Sequence, residues 1–136
     1  MNPCFRLLPL LLLTLFMGCG SEYGDPAEVT GKVTLDGKPL SGATVTFVAT
    51  GEGLPGELRS AQGTTDSEGA YKLPEVYPSK YQVSVNQPLS AEDVARASAQ
   101  PDLGPLAAYA PGVSTLTAEV SETANKFDFD LKSSSK

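Results

Sequence analysis

The sequence contains no histidine and no tryptophan, and it has two cysteines among 136 residues. Without an imidazole there is no Ser/His or Cys/His nucleophilic pair, no zinc site of the usual kind and no histidine general base. Without tryptophan the largest ring for stacking on a sugar is missing. Both cysteines, Cys4 and Cys19, lie near the N-terminus, so everything after residue 19 is expected to fold without a disulfide. Positive charge is scarce as well: 10 Lys and Arg stand against 16 Asp and Glu, a net charge of −6, which argues against nucleic acid and against a polybasic membrane contact. The apolar run from Leu7 to Phe16 is about ten residues and contains Pro9, half of the ~20 that a spanning helix needs. An Asp/Glu pair is the acid–base option left, for glycoside chemistry. The acidic residues fall in turns or on outward strand positions, so the expectation is no catalytic residue, no metal site and no cofactor.

That short apolar run follows Arg6 and ends in Gly18 just before Cys19, the layout of a secretory signal peptide over residues 1–18. Residues 15–21, L-F-M-G-C-G-S, resemble a bacterial lipobox. The resemblance implies a diacylglycerol on the Cys19 thiol, cleavage before it and acylation of the new amine. Phe16 stands where that pattern prefers Leu. Gly20 lacks the acidic residue that marks inner-membrane retention, which implies the outer membrane. Two or three acyl chains hold firmly where one is marginal. Cleavage removes Arg6 and no acidic residue, leaving the mature chain one charge more acidic. Residues 19–26 read as a lipidated tether that reaches at most about 25 Å, which keeps the following domain close to the lipid.

From Ala27 the hydrophobic period becomes two. Val29, Gly31, Val33 and Leu35 alternate with polar residues, as do Ala43, Val45, Phe47 and Ala49, then Tyr81, Val83 and Val85, then Leu116, Ala118 and Val120. Phe127, Phe129 and Leu131, between Lys126, Asp128, Asp130 and Lys132, give the cleanest alternation. Each pattern predicts an antiparallel strand with one dry face, and Thr64-Thr65 and Ala70 to Leu73 predict two more. Asp36-Gly37, Ser41-Gly42 and Asp66 to Gly69 are turn sequences, and Pro74, Pro78 and Pro88 are expected between strands. The result is an all-β, seven-stranded two-sheet sandwich over residues 27–132. Gly51 to Ala61 reads as a loop. Residues 86–112 read as an irregular insert, with a short capped helix at Ser90 to Gln100, and residues 133–136 as a disordered tail.

Three strings then become specific: V-T-G-K-V-T-L-D-G-K-P-L-S-G-A-T-V over Val29 to Val45, T-D-S-E-G-A-Y over Thr65 to Tyr71, and Y-P-S-K-Y-Q-V-S-V over Tyr77 to Val85. In this order they resemble the carboxypeptidase regulatory-like domain, which implies a transthyretin-like (prealbumin-like) Greek-key sandwich outside the cytoplasm and transfers no catalytic residue. Ser79 replaces the family's usual Gly. The matching residues, Asp36, Gly37, Gly42, Asp66 and Gly69, have a physical reading as structural turns: Asp accepts backbone N–H groups and Gly supplies φ > 0.

Sharper readings compete with these turns. Asp66-x-Glu68-Gly69 matches a fragment of a calcium loop, but the later ligands are missing. Lys32 and Asn125 suggest an intramolecular isopeptide bond, yet alternation with Val33 turns Lys32 toward water. Tyr71 and Tyr81 fall on inward positions, leaving Tyr77 and Tyr109 as candidate ligand contacts. The expectation is a non-catalytic, lipid-anchored cell-envelope module with a structural or protein-interaction role. Its partners are the membrane, through Cys19, and an envelope protein. The alternative is weak carbohydrate binding to envelope glycans.

Overall fold

Alternation becomes two layers in the computed structural model, which describes residues 22–87 and 104–133. The leader, Cys19 and the helix expected at Ser90 to Gln100 lie outside the described residues. One sheet is built on β1 (Ala27–Leu35), flanked by β2 (Lys38–Pro39) and β5 (Ala70–Val76). Two short strands, β8 (Asn125–Lys126) and β9 (Phe129–Leu131), also pair with β1. The other sheet has the order β4-β3-β6-β7, from β4 (Ser60–Thr64), β3 (Thr44–Ala49), β6 (Ser79–Asn86) and β7 (Leu116–Val120). The inward positions meet between the sheets: Val29 and Val33 of β1, Val45 and Phe47 of β3, Leu73 of β5, Tyr81, Val83 and Val85 of β6, and Leu131 of β9 are all buried. Phe47 is at the centre, with ring centroids 5.8 to 6.4 Å from those of Tyr81, Tyr71, Phe127 and Phe129. Edge and tilted contacts of this kind add about 0.5–1.5 kcal/mol per pair to the area they bury.

Four details differ from the sequence expectation. There are nine strands among the described residues rather than seven, because β2 and β8 are two-residue pairings too short to show a period. The last strand is parallel to β1, with Val33 opposite Phe129 and Leu35 opposite Leu131, not antiparallel. Alternation reports which face is dry and carries no information on the partner's direction. Here β7 ends where β1 begins, and a short turn carries the chain into the other sheet already running with β1. Pro74 lies inside β5 rather than between strands. The β1–β5 register slips by one residue between Val29↔Leu73 and Ala27↔Val76, so Pro74 and Glu75 occupy a bulge, where a missing N–H costs little. Finally, the loop expected to run to Ala61 ends earlier: it contains a 3-10 turn at Gly56–Leu58, and β4 starts at Ser60. Within the irregular insert, Gly104–Tyr109 forms a 3-10 helix whose Leu106 joins the core.

The topology gives the sandwich two distinct ends. The entry end holds Glu22 to Pro26, the β5–β6 turn at Tyr77-Pro78 and the turn from Ser121 to Ala124. The exit end holds the β1–β2 turn, Ser41-Gly42, Asp66 to Gly69 and Lys132.

Candidate functional site

All five residues expected in structural turns gather at the exit end. Asp36 and Gly37 take φ of 52° and 80°, both left-handed, so that Leu35 pairs with Lys38 across a two-residue turn. Hydrogen bonds from Ser133, first from its side chain and then from its backbone N–H, lower the pKa of the Asp36 carboxylate, with Lys132 and Lys38 adding to the effect. Asp66 closes its own turn: its carboxylate accepts the N–H groups of Glu68 (2.9 Å) and Ala70 (3.0 Å), while its carbonyl accepts the N–H of Gly69. Gly69 is required twice over. Its φ is +74°, and a Cβ there would lie 2.5 Å from the Val33 carbonyl oxygen, because Val33 N–H donates to the Gly69 carbonyl across the turn. Both carboxylates, Asp36 and Asp66, are held by backbone donors. Among the described residues no group of three or more Cys, His, Asp or Glu could hold a metal ion.

Thr65 knits these turns together, a role the sequence reading missed. It is buried, and its hydroxyl accepts the Ala43 N–H (2.9 Å) and donates to the Leu40 carbonyl (2.6 Å). Its backbone exchanges further bonds with Gly42 and Ala43. The T-D string marks Thr65 without giving it a task, since a threonine at a strand end is equally at home in water. Ser114 plays a similar part at the start of β7: its hydroxyl donates to the Val83 carbonyl at 2.5 Å and accepts the Leu116 N–H. Gly31 is the third missed position. It is buried in β1 with the Phe127 carbonyl lying directly over it, where a Cβ would overlap that oxygen and come within 2.9 Å of the Tyr71 ring.

The tyrosines do not form one surface. Tyr71 and Tyr81 point inward as expected, and their hydroxyls donate to the Phe127 and Tyr77 carbonyls at 2.7 and 2.8 Å. Burial pushes both phenols up from their ordinary pKa, and the negative charge of Asp128 adds to the effect on Tyr71. Tyr77 and Tyr109, the candidate ligand contacts, are half-buried against the core at opposite ends. Tyr77 follows Val76, which pairs with the first residue of β1, whereas the Tyr109 hydroxyl accepts the N–H of Lys132, just past the partner of the last. The length of β1 separates them, about 26 Å, so they cannot grip one sugar. Lys32 is exposed, as alternation requires, and Asn125 folds back on Ser121 and Thr123. The two are not placed for an isopeptide bond.

Residues 28–132 match the carboxypeptidase regulatory-like domain. No curated protein matches the sequence. Among solved structures, a DUF3823 family protein from Parabacteroides merdae aligns with a TM-score of 0.49 at 9% identity, over 80% of this chain and 47% of that one. The chain thus spans about half the length of that protein. A candidate carbohydrate-binding protein from Pseudomonas aeruginosa gives 0.47 at 12% identity, covering 82% and 92% of the two chains. The dioxygenase domain of a dioxygenase carbohydrate-binding protein fusion from Streptomyces sp. SirexAA-E gives 0.44 at 19%, covering 84% of each. At these scores none of the three transfers a ligand or an activity. The match over residues 28–132 covers most of the chain, with its motif residues at the turns just described: the chain belongs to the carboxypeptidase regulatory-like domain family.

Proposed function

We propose that this protein is a non-catalytic β-sandwich module, held at the cell envelope by acyl chains on Cys19, with a structural or protein-interaction role. One observation carries the reading: Asp36, Thr65 and Asp66 of the family motifs spend their side chains on backbone hydrogen bonds that hold turns, which suits a scaffold. The lipobox resemblance supports the anchor, and the position of Tyr23 and Gly24 at the entry end supports an orientation for it. Tyr23 packs against the core and Gly24 lies beside Pro78 and Glu122, so the slack between Cys19 and Tyr23 is three residues, about 10 Å. The entry end then rests beside the lipid headgroups, while the exit end, with Lys38 and Ser67, is turned toward partners.

The experiment pairs mass spectrometry of the native N-terminus with site-specific photo-crosslinking in the envelope. The expected result is a triacylated Cys19 that is lost in Cys19→Ser, with a defined envelope protein captured from Ser67 and not from Glu122. A native form whose Cys19 carries no fatty acid refutes the anchor. Capture from Glu122 alone refutes the orientation.

A further inference from the structure

A sheet edge is a row of unpaired backbone donors and acceptors, and natural sheets blunt theirs with proline, lysine, bulges or short strands. Three edges of this sandwich are closed in such ways. β4 lies against β5, where a Cβ on Gly63 would lie 3.0 Å from the Lys72 carbonyl oxygen. β5 itself carries Pro74 and the bulge. Across β1 from β5 are only β8 and β9, two and three residues long, with Lys126, Asp128 and Asp130 along them. The fourth edge is β7 (Leu116–Val120). It is five residues long, pairs with β6 in an unbroken register and has no proline and no lysine.

The direction of its backbone groups follows from its neighbours. The Lys80 carbonyl accepts the Thr50 N–H and so faces β3, whereas the Val83 carbonyl accepts the Ser114 hydroxyl and so faces β7. These groups alternate sides along a strand, so Tyr81 and Val83 bond to Ala118 and Leu116. Thr117 and Glu119, both exposed, then turn their N–H and C=O groups away from β6, and β7 pairs with no other strand among the described residues. On the inward face beside them, Leu116 is only half-buried against the core.

We propose that β7 takes up an extended segment of another polypeptide as a fifth strand of its sheet. Backbone bonds to Thr117 and Glu119 give the hold, and an alternating sequence gives the choice: an apolar side chain over Leu116, a basic one beside Glu119. Lys80 lies opposite Glu119 on β6 but forms no ion pair with it, and the body behind carries a net charge of −6. A second copy of this chain fits poorly. Antiparallel pairing would set its entry end beside this copy's exit end, and slack of about 10 Å falls short of the length of β7, about 17 Å. That step alone rests on the proposed anchor. Parallel pairing of symmetric copies would set Glu119 beside its own counterpart, a repulsive pair.

The test uses full-length protein in detergent micelles and two short synthetic peptides with blocked ends. One alternates Val with Lys and Thr; the other has Glu in place of Lys. Fluorescence anisotropy reads affinity, and amide hydrogen exchange reads the site. The Lys peptide is expected to bind more tightly than the Glu peptide and to slow exchange at Thr117 and Glu119. Thr117→Pro removes an outward N–H and no bond to β6, and should weaken binding about tenfold. Glu119→Lys should reverse the preference between the peptides. Gln62→Lys, on β4, should change neither. Melting curves check that each variant is folded, and Glu119→Lys suffices alone if Thr117→Pro does not fold. Cys19→Ser should bind the Lys peptide as the original protein does, so failure of the anchor and failure of this edge are read separately. Exchange at Thr117 and Glu119 that the Lys peptide does not slow, or an unchanged preference in Glu119→Lys, overturns the proposal. Dimerisation of Cys19→Ser that Thr117→Pro abolishes also overturns it, because a second copy is then the occupant.

Discussion

Replacing Gly31 with alanine puts a methyl group where the Phe127 carbonyl lies against β1. The position has no open side: the oxygen is backbone, and the Tyr71 ring is 2.9 Å from the added carbon. Phe127 must therefore move off β1, and its own backbone is held there by two bonds, Phe127 N–H to the Thr30 carbonyl (2.9 Å) and Tyr71 hydroxyl to the Phe127 carbonyl (2.7 Å). Overpacking costs about 1–3 kcal/mol, and two weakened hydrogen bonds add about 0.5–1.5 kcal/mol each. The sum, about 2–6 kcal/mol, is a large part of the roughly 5–15 kcal/mol that holds a domain folded. For a domain of this size it lowers the melting temperature by at least about 10 °C. Thermal unfolding followed by circular dichroism reads this directly. Gly37→Ala is the control: its φ is +80° but nothing lies within 4 Å, so it should cost only about 1 kcal/mol. Tyr71→Phe removes one of the two bonds, so combining it with Gly31→Ala should cost less than the sum of the two single changes. A Gly31→Ala protein melting within about 3 °C of the original refutes the close approach.

Thr65→Val keeps the shape of the side chain but leaves the Ala43 N–H and the Leu40 carbonyl without their buried partner, and should cost about 2–4 kcal/mol in urea unfolding. Thr64→Val, on an exposed neighbour, should change the midpoint little. Stability should also fall at alkaline pH. Tyr71 and Tyr81 have raised pKa values in the folded chain, so above about pH 10 the unfolded chain ionises while the folded chain does not. Stability present below pH 10 is lost as pH rises toward the folded values, and Tyr71→Phe should flatten that decline in a pH series of melts. Asp36 has the opposite sign: its pKa is lowered, so its contribution is lost as pH falls below about 4, and Asp36→Asn should remove that acid-side step.

Much of the sandwich was legible because a strand with one dry face writes its burial at every second residue. Val45, Phe47, Tyr81, Val83 and Leu131 are buried where alternation places them. The turns were legible for a local reason: Asp36-Gly37 and Gly69 need left-handed backbone, which few residues adopt, so chemistry and geometry coincide within four residues. What stayed hidden depends on partners distant in the chain. Gly31 in a strand pattern reads as a weak point until the Phe127 carbonyl is seen lying over it. Thr65 reads as one more strand threonine until Leu40 and Ala43 are brought to its hydroxyl. Tyr77 and Tyr109 were grouped by type, whereas register sets them at opposite ends of β1.

The parallel pairing of β9 with β1 has a mechanical consequence. A chain gripped before β1 and tugged beyond Ser133 feels the load along the length of these two neighbouring strands, in opposite senses. The Val33–Phe129, Thr34–Asp130 and Leu35–Leu131 pairings are then strained in shear and must yield together, whereas a hairpin pulled from its open end unzips one bond at a time. For a body fastened at one terminus and dragged at the other, that arrangement converts modest individual bonds into a collective resistance to force.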